Sequence, residues 1–347
     1  MEVANLSLQT VQKRYGISAD DMIELYKKML IIRRIEESCQ LAYDRDKVGG
    51  YMHLFVGQEA LAVGFIAAIR PDDYVLAGYR DHAYALTLGM TPEKMMAELF
   101  GRATGCSKGK GGSMHIFDKE HNFLGGYGIV AGHIPIATGV AFASKYRKTD
   151  QVALCFFGDG AMNAGVFHES ANMAGLWKLP VVYVIENNLY ALGTSVERAT
   201  AQPELYKRAD AYGMPGKRID AMDVLNVRKE AQEAVDYVRA GNGPIMIEAM
   251  TYRLVGHGVA DKPALQSYRS QDEVSEWRTH DPIPALGKLL VDENILDNDK
   301  LNELDVQAKQ IASQAYEFAD KSPEPPLSEL FTDVYTDMKP EGHERWQ

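Results

Sequence analysis

The sequence predicts an α/β protein built on a doubly wound, mostly parallel sheet flanked by helices. Between residues 134 and 250, helix-length and strand-length segments alternate. Such alternation produces parallel strands joined by right-handed crossovers. Residues 152–157 and 181–185 are short, continuous apolar runs, as expected of central strands covered on both faces. With 347 residues, 46% hydrophobic and 24% charged, the chain has globular composition and room for one large domain or two.

Each element has a local cause. Residues 20–43 carry Ile23, Tyr26, Leu30, Ile31 and Ile35 near a helical period. Residues 57–69 predict a second, largely buried helix, stopped by Pro71. A short strand is expected at 74–76. Thr91 caps a further helix with Pro92 at its first position. Nine glycines then fall between Gly101 and Gly132, interleaved with Met114, Ile116, Phe117, Phe123 and Ile129. That mixture predicts a long ordered loop, a kind that is usually functional. Beyond it the pattern predicts helices at 134–146, 166–175, 203–211 and 224–240, and strands at 151–157, 181–186, 217–219 and 245–250. The expected organisation is a helical arm over 1–45, an α/β binding domain over 46–280 and a helical extension over 281–347.

The chain has 37 Lys and Arg against 48 Asp and Glu, a net charge of −11, which argues against nucleic acid or an anionic membrane as partner. Cys39, Cys106 and Cys155 are too few and scattered for a disulfide framework or a zinc site. The first residues lack a basic and apolar leader and no run is long enough to span a membrane, so a cytoplasmic protein is expected.

The chemistry concentrates in two segments. Gly158-Asp159-Gly160-Ala161 ends one expected strand, and Glu186-Asn187-Asn188-Leu189-Tyr190 ends the next. Both then lie at the carboxyl edge of one parallel sheet, where open α/β folds bind ligands. A carboxylate and an amide oxygen there suit Mg²⁺, a hard cation that keeps phosphates among its ligands. Gly158 and Gly160 allow close approach of a diphosphate, whose charge the following helix N-terminus supports.

This pairing resembles the thiamine diphosphate fingerprint. The stretch from His53 to Ala60, Tyr79-Arg80-Asp81-His82, Gly109 to His115, Gly126 to Val130, Trp177 to Pro180, and Tyr252-Arg253 followed by Gly256-His257 extend the likeness. Together they resemble the α subunit of the decarboxylase component of 2-oxo acid dehydrogenase complexes, the pyruvate branch fitting best. The resemblance implies that Asp159, the Asn188 side chain and the Tyr190 carbonyl bind Mg²⁺. It implies that Tyr79 and Arg80 hold the diphosphate, that Gly128 and Val130 line the cofactor, and that Gly160 and Ala161 offer backbone donors. His53 and His257 would face the diphosphate or the reaction cavity as the catalytic candidates.

The resemblance also implies a separate β subunit in an α₂β₂ heterotetramer, because the glutamate that activates the aminopyrimidine sits on a second domain in the family. The 347 residues hold only one complete sheet, so the chain alone should be inactive. The acyl group would pass to a lipoyl group on an acyltransferase core. Pyruvate, branched-chain 2-oxo acids and acetoin all remain open as substrates. A scaffold without catalysis is disfavoured by the joint presence of Asp159, Asn188, Tyr79 and Arg80. A nicotinamide dehydrogenase is disfavoured because no Gly-x-Gly-x-x-Gly follows the first strand. Many family members carry a histidine and a phosphorylatable serine where this chain has Val255 and Gly258, which removes that serine as a point of control. Residues 256–270, rich in glycine and polar residues, are expected to order over bound cofactor.

Overall fold

The computed structural model describes residues 8–261 and 268–334. It opens with α1 (Leu8–Tyr15) and α2 (Ala19–Asp44). Ser18 starts α2 with a capping box: its hydroxyl accepts from the Asp21 N–H at 3.1 Å and the Asp21 carboxylate accepts from the Ser18 N–H. Then come α3 (Glu59–Ile66), β1 (Tyr74–Gly78), α4 (His82–Leu88), α5 (Pro92–Leu99), β2 (Phe123–Tyr127), α6 (Ile134–Arg147), β3 (Ala153–Gly158), α7 (Gly165–Trp177) and β4 (Val181–Asn187). A small hairpin, β5 (Tyr190–Ala191) with β6 (Thr194–Ser195), precedes α8 (Val196–Ala199). The rest is β7 (Gly216–Asp220), α9 (Val224–Tyr237), β8 (Ile245–Met250), α10 (Gln271–Arg278), α11 (Pro282–Asp292) and α12 (Asn298–Lys321).

The six main strands form one sheet in the order β2-β1-β3-β4-β8-β7, and every pairing is parallel. The sheet is therefore more uniform than the expected mostly parallel one. Alternate side chains divide between two cores, as a period of two requires. From β3, Leu154 and Phe156 join a core shared with α2, α3, α5, α9 and α12. Ala153, Cys155 and Phe157 join a second core under α6 and α7.

Strand order decides where a crevice opens. The chain steps from β1 outward to β2, then returns across β1 to β3. Crossovers diverge at that point, so the space beyond the carboxyl ends of β1 and β3 is uncovered. Register brings Gly158 opposite Glu186 and Gly78 opposite Tyr127, so the residues after all four strands emerge together.

Several elements differ from the sequence reading. Residues 205–212 form a 3₁₀ segment, Leu205–Tyr212, in place of a helix at 203–211. The helix expected at 57–69 spans only Glu59–Ile66, and all eight of its residues are buried within this chain. The sequence reading did not anticipate α4, the β5–β6 hairpin, α8, α10 or β2. The last lies inside the glycine-dense region, where pairing with β1 compensates for glycines that favour loops. The other helix that reads apolar on several faces, α6, buries Ile134, Ala137 and Ala141 but leaves Ile136, Phe142 and Tyr146 exposed. Among the described residues no helix is long and apolar enough to cross a membrane.

Candidate active site

A cleft of about 410 Å³ lies at the carboxyl edge of the sheet. The structure gathers there all eleven residues singled out from the sequence: His53, Tyr79, Arg80, Gly128, Val130, Asp159, Gly160, Ala161, Asn188, Tyr190 and His257. Strand ends supply Tyr79 and Arg80 from β1, Gly128 and Val130 from β2, Asp159 to Ala161 from β3, and Asn188 and Tyr190 from β4. His53 and His257 come from loops.

The polar groups are organised for a guest that carries both a cation and an anion. Asp159 is buried at 5% exposure. Burial pushes its carboxyl up to about 6, opposed in part by a backbone hydrogen bond and the charge of Arg253. Asn188 donates through its Nδ2 to Gln58 Oε1 at 3.1 Å, while its buried Oδ1 has no partner among the described residues. A buried carboxylate beside a buried amide oxygen left open in this way fits a hard divalent cation. The Tyr190 carbonyl, the third candidate ligand, accepts from Arg253 Nη2 at 3.2 Å and retains a second lone pair.

The opposite side is cationic and aromatic. The buried Arg80 donates to the carbonyls of Leu54 and His257, the latter at 2.9 Å. The rings of His53 and Tyr79 lie 4.1 Å apart, and those of His53 and His257 4.9 Å apart. Burial first, then the charge of Arg80, hold His53 down at about 2 and His257 at about 3. Both rings are therefore neutral at pH 7, each able to donate one N–H to an oxyanion. His53 Nδ1 is buried and unpartnered. Gly160 sits where a Cβ would come within 2.7 Å of the Ala191 methyl, so a larger residue would crowd the floor of the cleft.

Four contributors were not anticipated as site residues. Glu186 and His133 line the cleft. Glu186 accepts from the Tyr84 hydroxyl, and its burial pushes it up to about 7. His133 donates from Nε2 to the Phe156 carbonyl at 2.8 Å. Arg253 is fully buried, with Nη2 on the carbonyls of Tyr190 and Leu192 and with Nε and Nη1 unpartnered among the described residues. It clamps a turn whose flanking residues Leu189 and Leu192 are both left-handed, at φ 72° and 55°. Glu98, on α5, organises the glycine-dense loop. Its carboxylate accepts the N–H groups of Ser107, Gly109, Gly111 and Gly112 at 2.7 to 3.2 Å. A glutamate in a helical pattern carries no sign of this, because its partners lie in a later loop.

The segment 256–270 is only partly described, since residues 262–267 lie outside the described residues. On one side of that interval the Asp261 carboxylate accepts from the His257 N–H at 2.8 Å, and on the other the Tyr268 hydroxyl reaches the same carboxylate at 2.7 Å. Gly258 packs on Tyr51, whose ring a Cβ would approach to 2.4 Å, so a side chain there must displace that ring.

Comparison with known proteins agrees with this geometry. The chain is 48% identical over 318 residues to the pyruvate dehydrogenase E1 component subunit alpha of Rhizobium meliloti, covering 91% of this chain and 90% of that protein. It is 46% identical over 334 residues to the protein of the same name from Zymomonas mobilis, covering 96% and 93%. It is 45% identical over 333 residues to the chloroplastic subunit alpha-3 from Oryza sativa, covering 93% and 78%. With the family model for the dehydrogenase E1 component matched across residues 27–328, nearly its whole length, the chain belongs to the dehydrogenase E1 component family.

Proposed function

We propose that this chain is the α subunit of a pyruvate dehydrogenase-type enzyme that binds thiamine diphosphate and Mg²⁺. In this reading the enzyme removes CO₂ from pyruvate and passes the acetyl group to a lipoyl group on an acyltransferase core. The observation that carries it is the buried Asp159 carboxylate beside the buried Asn188 Oδ1, which is unpartnered among the described residues, in one cleft with Arg80, His53 and His257. The names of the relatives support pyruvate over branched-chain 2-oxo acids and acetoin.

Each residue then has a task. Asp159, Asn188 Oδ1 and the Tyr190 carbonyl hold the cation. Arg80 and Tyr79 hold phosphate oxygens, joined by N–H donors from His53 and His257 and by the backbone of Gly160 and Ala161. Met114, Gly128 and Val130 form an apolar wall that keeps water from the reacting carbon. Bound thiamine diphosphate supplies the electron sink that accepts the pair released when the carboxylate leaves.

The site is open toward a partner. Ile129 is 77% exposed, and Val130 and Leu192 are also largely exposed at the cleft. Phe142, Tyr146, Met173, Leu176 and Trp177 form a further exposed apolar face on α6 and α7. We infer that a β subunit covers these surfaces and completes the site in an α₂β₂ assembly. The test has two parts. Calorimetric titration of the co-expressed α/β assembly should show thiamine diphosphate binding that requires Mg²⁺. Steady-state rates with pyruvate, 2-oxoisovalerate and acetoin should favour pyruvate. Binding without Mg²⁺, or a preference for either other substrate, would overturn the corresponding part of the reading.

A further inference from the structure

The segment Tyr79-Arg80-Asp81-His82 divides into two pairs. Tyr79 and Arg80 line the cleft, whereas Asp81 and His82 do not and are fully buried. His82 stands between two elements. Its Nδ1 lies 3.0 Å from Glu36 Oε1 on α2, and its Nε2 lies 2.9 Å from Ser113 Oγ at the end of the glycine-dense loop. Asp81 Oδ2 accepts the Ile116 N–H at 3.2 Å. Met114, between these anchors, forms part of the cleft wall. The same anchors meet β2. Gly126 donates its N–H to the Ile116 carbonyl at 2.9 Å and approaches Asp81 so closely that a Cβ there would lie 1.6 Å from Oδ2. Two residues later, Gly128 sits beside Met114.

Ser, His and Glu in this order resemble a nucleophilic triad. Burial excludes that role: Glu36 and His82 have no exposure, Ser113 has 6%, and none of the three lines the cleft. A buried imidazole bonded at both nitrogens holds two elements at a set distance. Glu36 accepts from Nδ1–H, and Nε2 bonds the Ser113 hydroxyl in either protonation state.

We propose that Glu36, His82 and Ser113 form a positioning latch that fixes the Met114–Gly128 wall relative to the phosphate-holding Tyr79 and Arg80. The latch contributes to thiamine diphosphate affinity without touching the cofactor. It rests on the functional reading above for the identity of the guest. The anchoring of the loop rests on the geometry alone.

Two readouts on the α/β assembly test it. In the first, Mg²⁺-dependent thiamine diphosphate titration should weaken about tenfold in Ser113→Ala and in Glu36→Leu, the effect of one buried hydrogen bond. Glu36→Gln, which keeps an acceptor for Nδ1–H, should bind as wild type. In the second, tryptic cleavage at Lys108 and Lys110 in the cofactor-free assembly should accelerate in Ser113→Ala and Glu36→Leu, and not in Glu36→Gln. Ser113→Ala removes one oxygen and leaves the packing, so it serves if Glu36→Leu does not fold. Wild-type titration and cleavage in Ser113→Ala would overturn the latch, whatever its melting temperature. Absence of binding in the wild type would instead overturn the cofactor reading, and the cleavage rates would then decide the latch.

Discussion

Asp159 is held for a charge that its own chain does not fully supply. Its carboxyl is pushed up to about 6 by burial, so its ionised form costs more here than in water and gains from a cation nearby. Asp159→Asn should therefore raise the melting temperature of the cofactor-free assembly while weakening Mg²⁺-dependent cofactor binding at least about a hundredfold. Differential scanning calorimetry and titration check the two halves, and unchanged affinity would remove Asp159 from the metal site. His133 gives a second residue-scale test. Burial lowers it to about 4, so the native state refuses a proton that the unfolded chain accepts near pH 6.5. Its contribution to stability is then lost as pH falls from about 6.5 to 4. His133→Gln lacks that titration. The stability of wild type relative to this variant should fall by about 3 kcal/mol across the window. Denaturant titrations at a series of pH values measure it, and a flat difference would contradict the buried neutral state.

At the scale of elements, β2 is the least robust strand and the most consequential. It lies at the sheet edge, contains Gly125 and Gly126, and pairs with β1 with a shift in register, its other side carrying a single antiparallel bridge from Phe123 to Asp118. Its seat depends on Asp81, which Gly126 approaches too closely for any side chain. Gly126→Ala should cost roughly 1–3 kcal/mol, the usual penalty of overpacking. It should also weaken cofactor binding, because Gly128 and Val130 follow directly after this strand. Urea unfolding with parallel cofactor titration checks this, and normal values in both would show that the strand yields without cost.

At the scale of the molecule, the exposed faces imply an assembly. The chain exposes Ile129, next to the cleft residues Gly128 and Val130, and Phe142, Tyr146 and Leu176 on α6 and α7, and Phe142 packs on Trp177 with ring centres 5.6 Å apart. Phe142→Asp should leave the fold intact, since that ring lies outside both buried cores. It should shift the assembly toward free chains in light scattering and lower decarboxylase activity in proportion. An unchanged assembly would separate this face from the interface.

The sequence by itself determined the parallel sheet and the meeting of Asp159 with Asn188 at its edge. Both follow from local order: apolar runs of strand length, helices between them, and ligand-type residues directly after each run. It also determined the ends of α2 and α5, because Ser18 and Thr91 cap within three residues. Tertiary structure alone decided the rest. Gly125 and Gly126 read as loop until β1 supplies a strand partner. Leu205–Tyr212 has helix-like composition but tightens to a 3₁₀ segment, packing against β7 and β8. Glu98, Arg253 and His82 gain their roles from partners distant in sequence, which no local pattern encodes. The outward face of α6 is apolar in the sequence either way. Only the packed chain shows which of its apolar residues the fold covers and which it leaves exposed.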